Sequence, residues 1–281
     1  MKVMVTGAKG MLGSQVCGAL APQHEVLGVD LDDFDVTNAG AVRAAFASAH
    51  PDMVVHCAAW TDVDGCERDP ERAFLHNAQG TWHVADACRG IAATLVYIST
   101  DFVFDGEKRE PYTEFDRPNP LSVYGASKLA GEDAVRRLVP KHYIVRSAWL
   151  YGPGGRNFVD TILAAAAQRD ELRVVADQFG SPTSTRDLAE AITNVIVSGR
   201  VAPGRYHIVN SGVCSWAELA AEALQIRGSR ARVAPSRASE WPSPTRRPAY
   251  SALWSRWLEF QGIPPLRDWK AALVSYLAGA G

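Results

Sequence analysis

The chain opens on a short apolar run, Lys2-Val3-Met4-Val5-Thr6, followed by a glycine-rich turn and helical periodicity through Leu20. A second strand is predicted from Glu25 to Val29. Met53-Val54-Val55-His56-Cys57, Thr94-Leu95-Val96-Tyr97-Ile98 and Tyr143-Ile144-Val145 run on without polar alternation, as strands covered on both faces do. Between them the helical period predicts helices over 39–49, 70–89 and 123–138. Strand and helix in turn imply βαβ winding about a parallel sheet, hence an α/β, Rossmann-like doubly wound fold. Beyond about residue 151 the alternation loosens. Helices are predicted over 157–168, 185–197 and 215–225, and the proline- and arginine-rich stretch 235–248 is predicted to be mostly loop. The expected division is a first domain over 1–150 and a smaller domain over 151–281, with the helix near 185–197 a candidate to return to the first.

The turn after the first strand carries Gly7, Gly10 and Gly13. That spacing permits a tight turn, close approach of backbone to a diphosphate, and close packing of helix on strand. The helix N-terminus beyond it favours negative charge. A dinucleotide is therefore expected against Gly7, Gly10, Met11, Leu12 and Gly13, with Asp30 at the end of the second strand accepting hydrogen bonds from the adenosine ribose.

Tyr124 and Lys128 stand four residues apart in a predicted helix, so their side chains share one face. A lysine cation favours the phenolate and is expected to lower the tyrosine pKa, suiting Tyr124 to proton transfer during carbonyl–alcohol interconversion. Thr100 ends the fourth apolar run, at the carboxyl end of a parallel strand, where open sheets bind ligands. Bulk composition narrows the class. Among 281 residues, 29 basic and 31 acidic side chains leave no field for nucleic acid or an anionic membrane. No apolar run reaches membrane-spanning length. The cysteines Cys17, Cys57, Cys66, Cys88 and Cys214 are scattered and lack paired spacing, so they read as reduced thiols of a cytoplasmic protein. The histidines show no metal-ligand spacing and no metal is expected. Asp62, Asp64 and Glu67 read as a solvated loop.

Together these residues resemble the extended short-chain dehydrogenase/reductase family. Within it the likeness is to the dTDP-4-dehydrorhamnose reductases and runs along nearly the whole chain. It is carried by Ser99-Thr100-Asp101-Phe102-Val103-Phe104-Asp105-Gly106, Pro111-Tyr112 with Glu114 and Asp116, and Tyr124-Gly125 through Lys128-Leu129-Ala130-Gly131-Glu132. Arg146 through Tyr151, Asp177 through Thr183, and Arg247-Pro248 with Ser251 and Leu253 extend it. The resemblance implies reduction, by hydride from NADPH with NADH also accepted, of the C4 ketone of dTDP-4-dehydro-6-deoxy-L-mannose to dTDP-L-rhamnose. It implies Tyr124 as proton donor, Lys128 on the nicotinamide ribose and Thr100 on the carbonyl. It adds Ala58, Ala59 and Thr61 to the cofactor site. It places Asp101, Phe102, Phe104, Trp149, Asn157 and Arg247 with Thr100 and Tyr124 on the substrate, Trp149 as a platform for the sugar ring and Arg247 as a grip on the diphosphate.

Phe102 cannot move protons, so the acid–base pair that sugar-nucleotide dehydratases of this superfamily place after the threonine is missing here. Three alternatives stay open: a 4-epimerase, a related 4-keto-6-deoxysugar reductase of other stereochemistry, and a catalytically idle NADP-binding regulatory subunit. Some members hold magnesium between subunits through acidic residues, one on the first helix. Gln15 occupies that position here, an amide that binds a hard cation poorly. A monomer or weak homodimer is expected.

Overall fold

The computed structural model describes residues 1–279. The last two residues of the expected second domain lie outside it. The first half winds as β1 (Lys2–Thr6), α1 (Met11–Leu20), β2 (Glu25–Val29), α2 (Ala39–Ala49), β3 (Met53–His56), α3 (Val63–Arg68), α4 (Pro70–Phe74), α5 (Thr81–Gly90), β4 (Thr94–Thr100), α6 (Val123–Leu138) and β5 (His142–Ser147). Then follow β6 (Leu150–Tyr151), α7 (Phe158–Ala166), β7 (Glu171–Val175), β8 (Phe179–Gly180), β9 (Thr183–Ser184), α8 (Thr185–Ala191) and β10 (Gly204–His207). The chain ends through β11 (Asn210–Ser211), β12 (Cys214–Ser215), α9 (Trp216–Ile226), β13 (Arg232–Ser236), α10 (Arg256–Phe260), β14 (Leu266–Asp268) and α11 (Trp269–Gly279).

Six parallel strands form the main sheet in the order β10-β5-β4-β3-β1-β2. Alternate residues of each strand serve opposite faces. Val3, Val5, Val96 and Val145 pack with Leu12 and Val16 of α1 and with Leu188, Ile192 and Ile196. Met4, Val54, Leu95 and Ile144 face Val42, Phe46, Val84 and Val135 of the helices on the other side. Helix caps follow local chemistry. Asn38 accepts from the N–H groups of Gly40 and Ala41 ahead of α2, and Ser122 accepts from Gly125 N–H ahead of α6. The stretch predicted as one helix over 70–89 is α4 and α5 joined through a π-helical segment, Leu75–Gly80.

The second half does not form one continuous lobe. The segment at 185–197 lies in the core of the main sheet beside α1, and β10 joins the sheet as its sixth strand. The small lobe is built from what lies on either side of that return: α7, α9 and α11 enclose one apolar cluster, and α7, α9, β7 and β13 another.

Candidate functional site

The strand order reverses between β1 and β3, which opens a crevice at their carboxyl ends, where doubly wound sheets take their ligands. Gly7 follows β1 with φ of 69°, and a Cβ there would stand 2.7 Å from the backbone nitrogen of Ala58, just beyond β3. Only glycine fits both the backbone angle and the approach. No side chain caps α1, so its first N–H groups, at Met11, Leu12 and Gly13, are free for an anion. A small cavity of about 40 Å³ beside them is lined by Thr6, Gly7, Val29, Asp30, Phe34 and Ala58. The Asp30 carboxylate accepts from Lys9 N–H (2.8 Å) and Leu31 N–H (2.9 Å), and the Lys9 ammonium pairs with Asp32. Ala59 and Thr61 lie in the loop between β3 and α3, Thr61 exposed. These residues fit a dinucleotide: a backbone cradle, an open helix terminus and a carboxylate at the end of β2 lining the cavity.

Next to the crevice stand the residues expected to do chemistry. Tyr124 and Lys128 occupy successive turns of α6, and Thr100 ends β4. The first turn of α6 presses on the turn after β4 so closely that a Cβ on Gly125 would lie 2.1 Å from the Phe102 carbonyl oxygen. That contact brings the Tyr124 ring edge-on to Phe102, 5.7 Å between centroids.

The electrostatics differ from expectation. Burial pushes the Tyr124 pKa up, the Thr100 hydrogen bond offsets part of this, and the Asp101 charge adds to it. Lys128 does not lower it, because its ammonium lies 4.3 Å above the ring of Tyr97. Burial brings the lysine itself down to about 7, against the opposing charge of Glu132. A raised pKa keeps Tyr124 protonated, the state from which a reductase donates.

Four residues expected on the substrate are occupied elsewhere. Phe104 is wholly buried, stacked on Tyr112 (4.2 Å) with the Arg146 guanidinium 5.1 Å over its ring, so it is core. Asn157 caps α7: its Oδ1 accepts from Asp160 N–H, and its amide donates to the Gly152 carbonyl and the Asp160 carboxylate. The Trp149 indole lies flat on Trp216, 3.4 Å apart and 5° from parallel, and a Cβ on Gly180 would come within 2.3 Å of its Cε2. One broad face is thus covered by Trp216 while the ring as a whole is half-buried, so the sugar platform is reduced to what remains. Asp101 is 2% exposed and accepts from the hydroxyls of Thr100 (3.2 Å) and Ser251 (2.5 Å), tying the strand end to the small lobe. Burial raises its pKa to about 7.

Arg247 does line a cavity, of about 720 Å³, together with Arg109, Arg246, Asp177, Phe179 and Tyr250. Its guanidinium donates to Asp64 (2.8 Å) and Ser243 (2.6 Å), and Thr245 also donates to Asp64 (2.7 Å). Asp64 is therefore a clamp between the lobes rather than part of a solvated loop, and Glu67 accepts from Val123 N–H at the start of α6. Sequence reasoning passed over Arg109 and Arg246. The arginine-rich stretch was a signal for Arg246, and nothing local marked Arg109. A second cavity of about 750 Å³, beside α8 and α10, contains none of Thr100, Tyr124 or Lys128. Among the described residues no three His, Cys, Asp or Glu side chains group as metal ligands. Glu190 pairs with Arg186 (3.0 Å).

A family model described as "RmlD substrate binding domain" matches residues 1–280. The chain belongs to this family. A dTDP-4-dehydrorhamnose reductase of Streptomyces griseus is 43% identical over 96% of this chain and 91% of its own length. The crystal structure of a dTDP-4-dehydrorhamnose reductase from Clostridium acetobutylicum superposes with a TM-score of 0.97 at 43% identity, covering 100% of this chain and 99% of the other. That of Bacillus anthracis, in complex with NADP, gives 0.95 at 37% identity, covering 100% and 99%. The protein is an NADPH-dependent oxidoreductase of the extended short-chain dehydrogenase/reductase family, with a Rossmann-like fold. Among the described residues no helix is long and apolar enough to cross a membrane.

Proposed function

We propose that the protein reduces the C4 ketone of dTDP-4-dehydro-6-deoxy-L-mannose to dTDP-L-rhamnose, with Thr100, Tyr124 and Lys128 as its catalytic groups. The observation that carries these roles is the close packing of the first turn of α6, which bears Tyr124, on the turn that follows Thr100 at the carboxyl end of β4. NADPH supplies the hydride when bound. Thr100 donates a hydrogen bond to the ketone oxygen, and Tyr124 delivers its proton to the alkoxide that hydride addition creates. Such a donor aimed at a developing oxyanion contributes about 3 kcal/mol. Lys128, in its cationic form, holds ribose hydroxyls of the bound cofactor. Arg247, with Arg109 and Arg246 around the same cavity, meets the diphosphate, since a planar guanidinium can give two parallel hydrogen bonds to phosphate oxygens.

The Asp30 carboxylate favours NADH, while Lys9 offsets its repulsion of a 2′-phosphate, so both cofactors are used, NADPH preferentially. The protein works in the cytoplasm as a monomer or weak homodimer. Purified protein should oxidise NADPH when the 4-keto sugar nucleotide is added and not before. NMR of the product should show the rhamno configuration; the C4 epimer would assign a sister reductase. Absence of turnover would leave an idle binding subunit.

A further inference from the structure

Beyond the two catalytic groups on α6, the helix carries a third polar side chain on the same stripe. Tyr124, Lys128 and Glu132 succeed one another at intervals of four residues. Glu132 is 1% exposed and fully engaged. Its Oε1 accepts from the Ser99 hydroxyl (2.6 Å) and Arg146 Nε (2.7 Å), and its Oε2 accepts from Arg146 Nη2 (2.6 Å). Ser99 immediately precedes Thr100 on β4, and Arg146 lies on β5. One carboxylate thus joins the helix of the proton donor to the strand of the carbonyl-binding hydroxyl and to the strand beyond. We propose that Glu132 is a positioning residue for the reduction, fixing α6, and with it Tyr124 and Lys128, against β4 and β5. The proposal rests on the reading of Tyr124 and Lys128 given above.

The bland account is a buried ion pair that holds the fold together. Buried pairs are poor sources of stability, since desolvation offsets their attraction and apolar replacements are often neutral. Position gives Glu132 a second task. The groups that bear on Lys128 are Glu132 on its own helix, His56 at the end of β3 and Cys57 just beyond it, and the ring of Tyr97 from β4. His56 is pushed down to about 3 and Cys57 up to about 12 by burial, so both are uncharged at neutral pH. Of these groups, Glu132 alone then supplies a negative charge near neutrality. Glu132 in turn faces Arg146 and, at 3.9 Å, Arg205.

Two variants separate the accounts: Glu132→Gln, and the double change Glu132→Met with Arg146→Met. Loss of the anion lowers the Lys128 pKa further, so the cation disappears at a lower pH. In Glu132→Gln the alkaline limb of the kcat profile should move down by about one pH unit, a roughly tenfold loss of rate above it. KM for the sugar nucleotide should hold. The single variant leaves Arg146 buried without a partner and so loses stability. The double variant removes both charges and should recover most of the wild-type Tm while kcat stays low and its alkaline limb stays shifted. Recovery of kcat together with Tm in the double variant would show a purely structural pair and overturn the proposal. An unshifted profile in Glu132→Gln, with the wild type active, overturns it alone. An inactive wild type overturns the catalytic reading and this proposal with it.

Discussion

The same substitution at two positions of one helix should have opposite effects. Gly13 and Gly18 both lie in α1. A Cβ on Gly13 would stand 2.0 Å from the Gly7 carbonyl oxygen, 2.8 Å from its carbon and 3.0 Å from Ala8 Cα, all backbone atoms that no rotamer change can move aside. A Cβ on Gly18 would meet nothing within 4 Å. Alanine in a helix gains ~0.5–1 kcal/mol over glycine. At Gly18 that gain stands alone. At Gly13 overpacking costs ~1–3 kcal/mol and leaves a net loss of up to ~2.5 kcal/mol. For a chain of this size each kcal/mol is worth about 2–4 °C, so Gly13→Ala should lower Tm by up to roughly 10 °C while Gly18→Ala raises it slightly. The displaced atoms belong to the loop proposed to carry the cofactor diphosphate. NADPH affinity, read by fluorescence titration, should therefore weaken about tenfold or more in Gly13→Ala, a loss of ~1.4 kcal/mol. Gly18→Ala should bind as the wild type does. A Gly13→Ala protein with wild-type Tm and NADPH affinity would refute the assignment of this turn.

Tyr124→Phe keeps the ring and removes the transferable proton, so turnover should fall by about a hundredfold or more with NADPH binding unchanged; near-normal turnover would sink the mechanism. Arg247→Lys should raise KM for the sugar nucleotide by about tenfold and spare NADPH, and the reverse pattern would place the diphosphate grip elsewhere. Asp101 has a folded pKa raised to about 7, so its contribution to stability is complete below its unfolded value near 4 and is lost as pH rises through 7. Asp101→Asn cannot ionise, so its Tm relative to wild type should rise between pH 4 and 7; a constant difference across that range would contradict the burial argument. With Gln15, a neutral amide, where some family members carry an acid, activity should survive EDTA, and magnesium-restored activity would overturn that expectation.

Where local chemistry decided the structure, the sequence was a sound guide. Helices α2 and α6 fall where the periodicity placed them because Asn38 and Ser122 supply caps at their starts. The turn at Gly7 and the helical spacing of Tyr124 and Lys128 needed no tertiary information. The departures all depend on long-range packing. Phe104 and Trp149 sit in motifs that border a site, yet no pattern along the chain tells a ring facing a ligand from one facing Tyr112 or Trp216. The environment of Lys128 depends on Tyr97, 31 residues earlier, and Asp64 meets Arg247 across 183 residues. The π-helical segment at Leu75–Gly80 has no signature in hydrophobic periodicity.

The return of residues 185–207 to the main sheet bears on how this protein can be cut and recombined. A polypeptide ending at residue 150 would contain every glycine of the proposed cofactor turn and the three side chains proposed as catalytic. It would also leave β5 as an unpaired edge, since β10 is its outer neighbour. Leu12, Val16 and Val145 would lose the cover of Leu188, Ile192 and Ile196. Such a fragment should aggregate rather than bind NADPH, and during translation the nucleotide crevice is not supported until the ribosome has passed β10. Exchange of substrate specificity between relatives must therefore graft two separate stretches, one on each side of 185–207, and leave that returning segment with its own sheet.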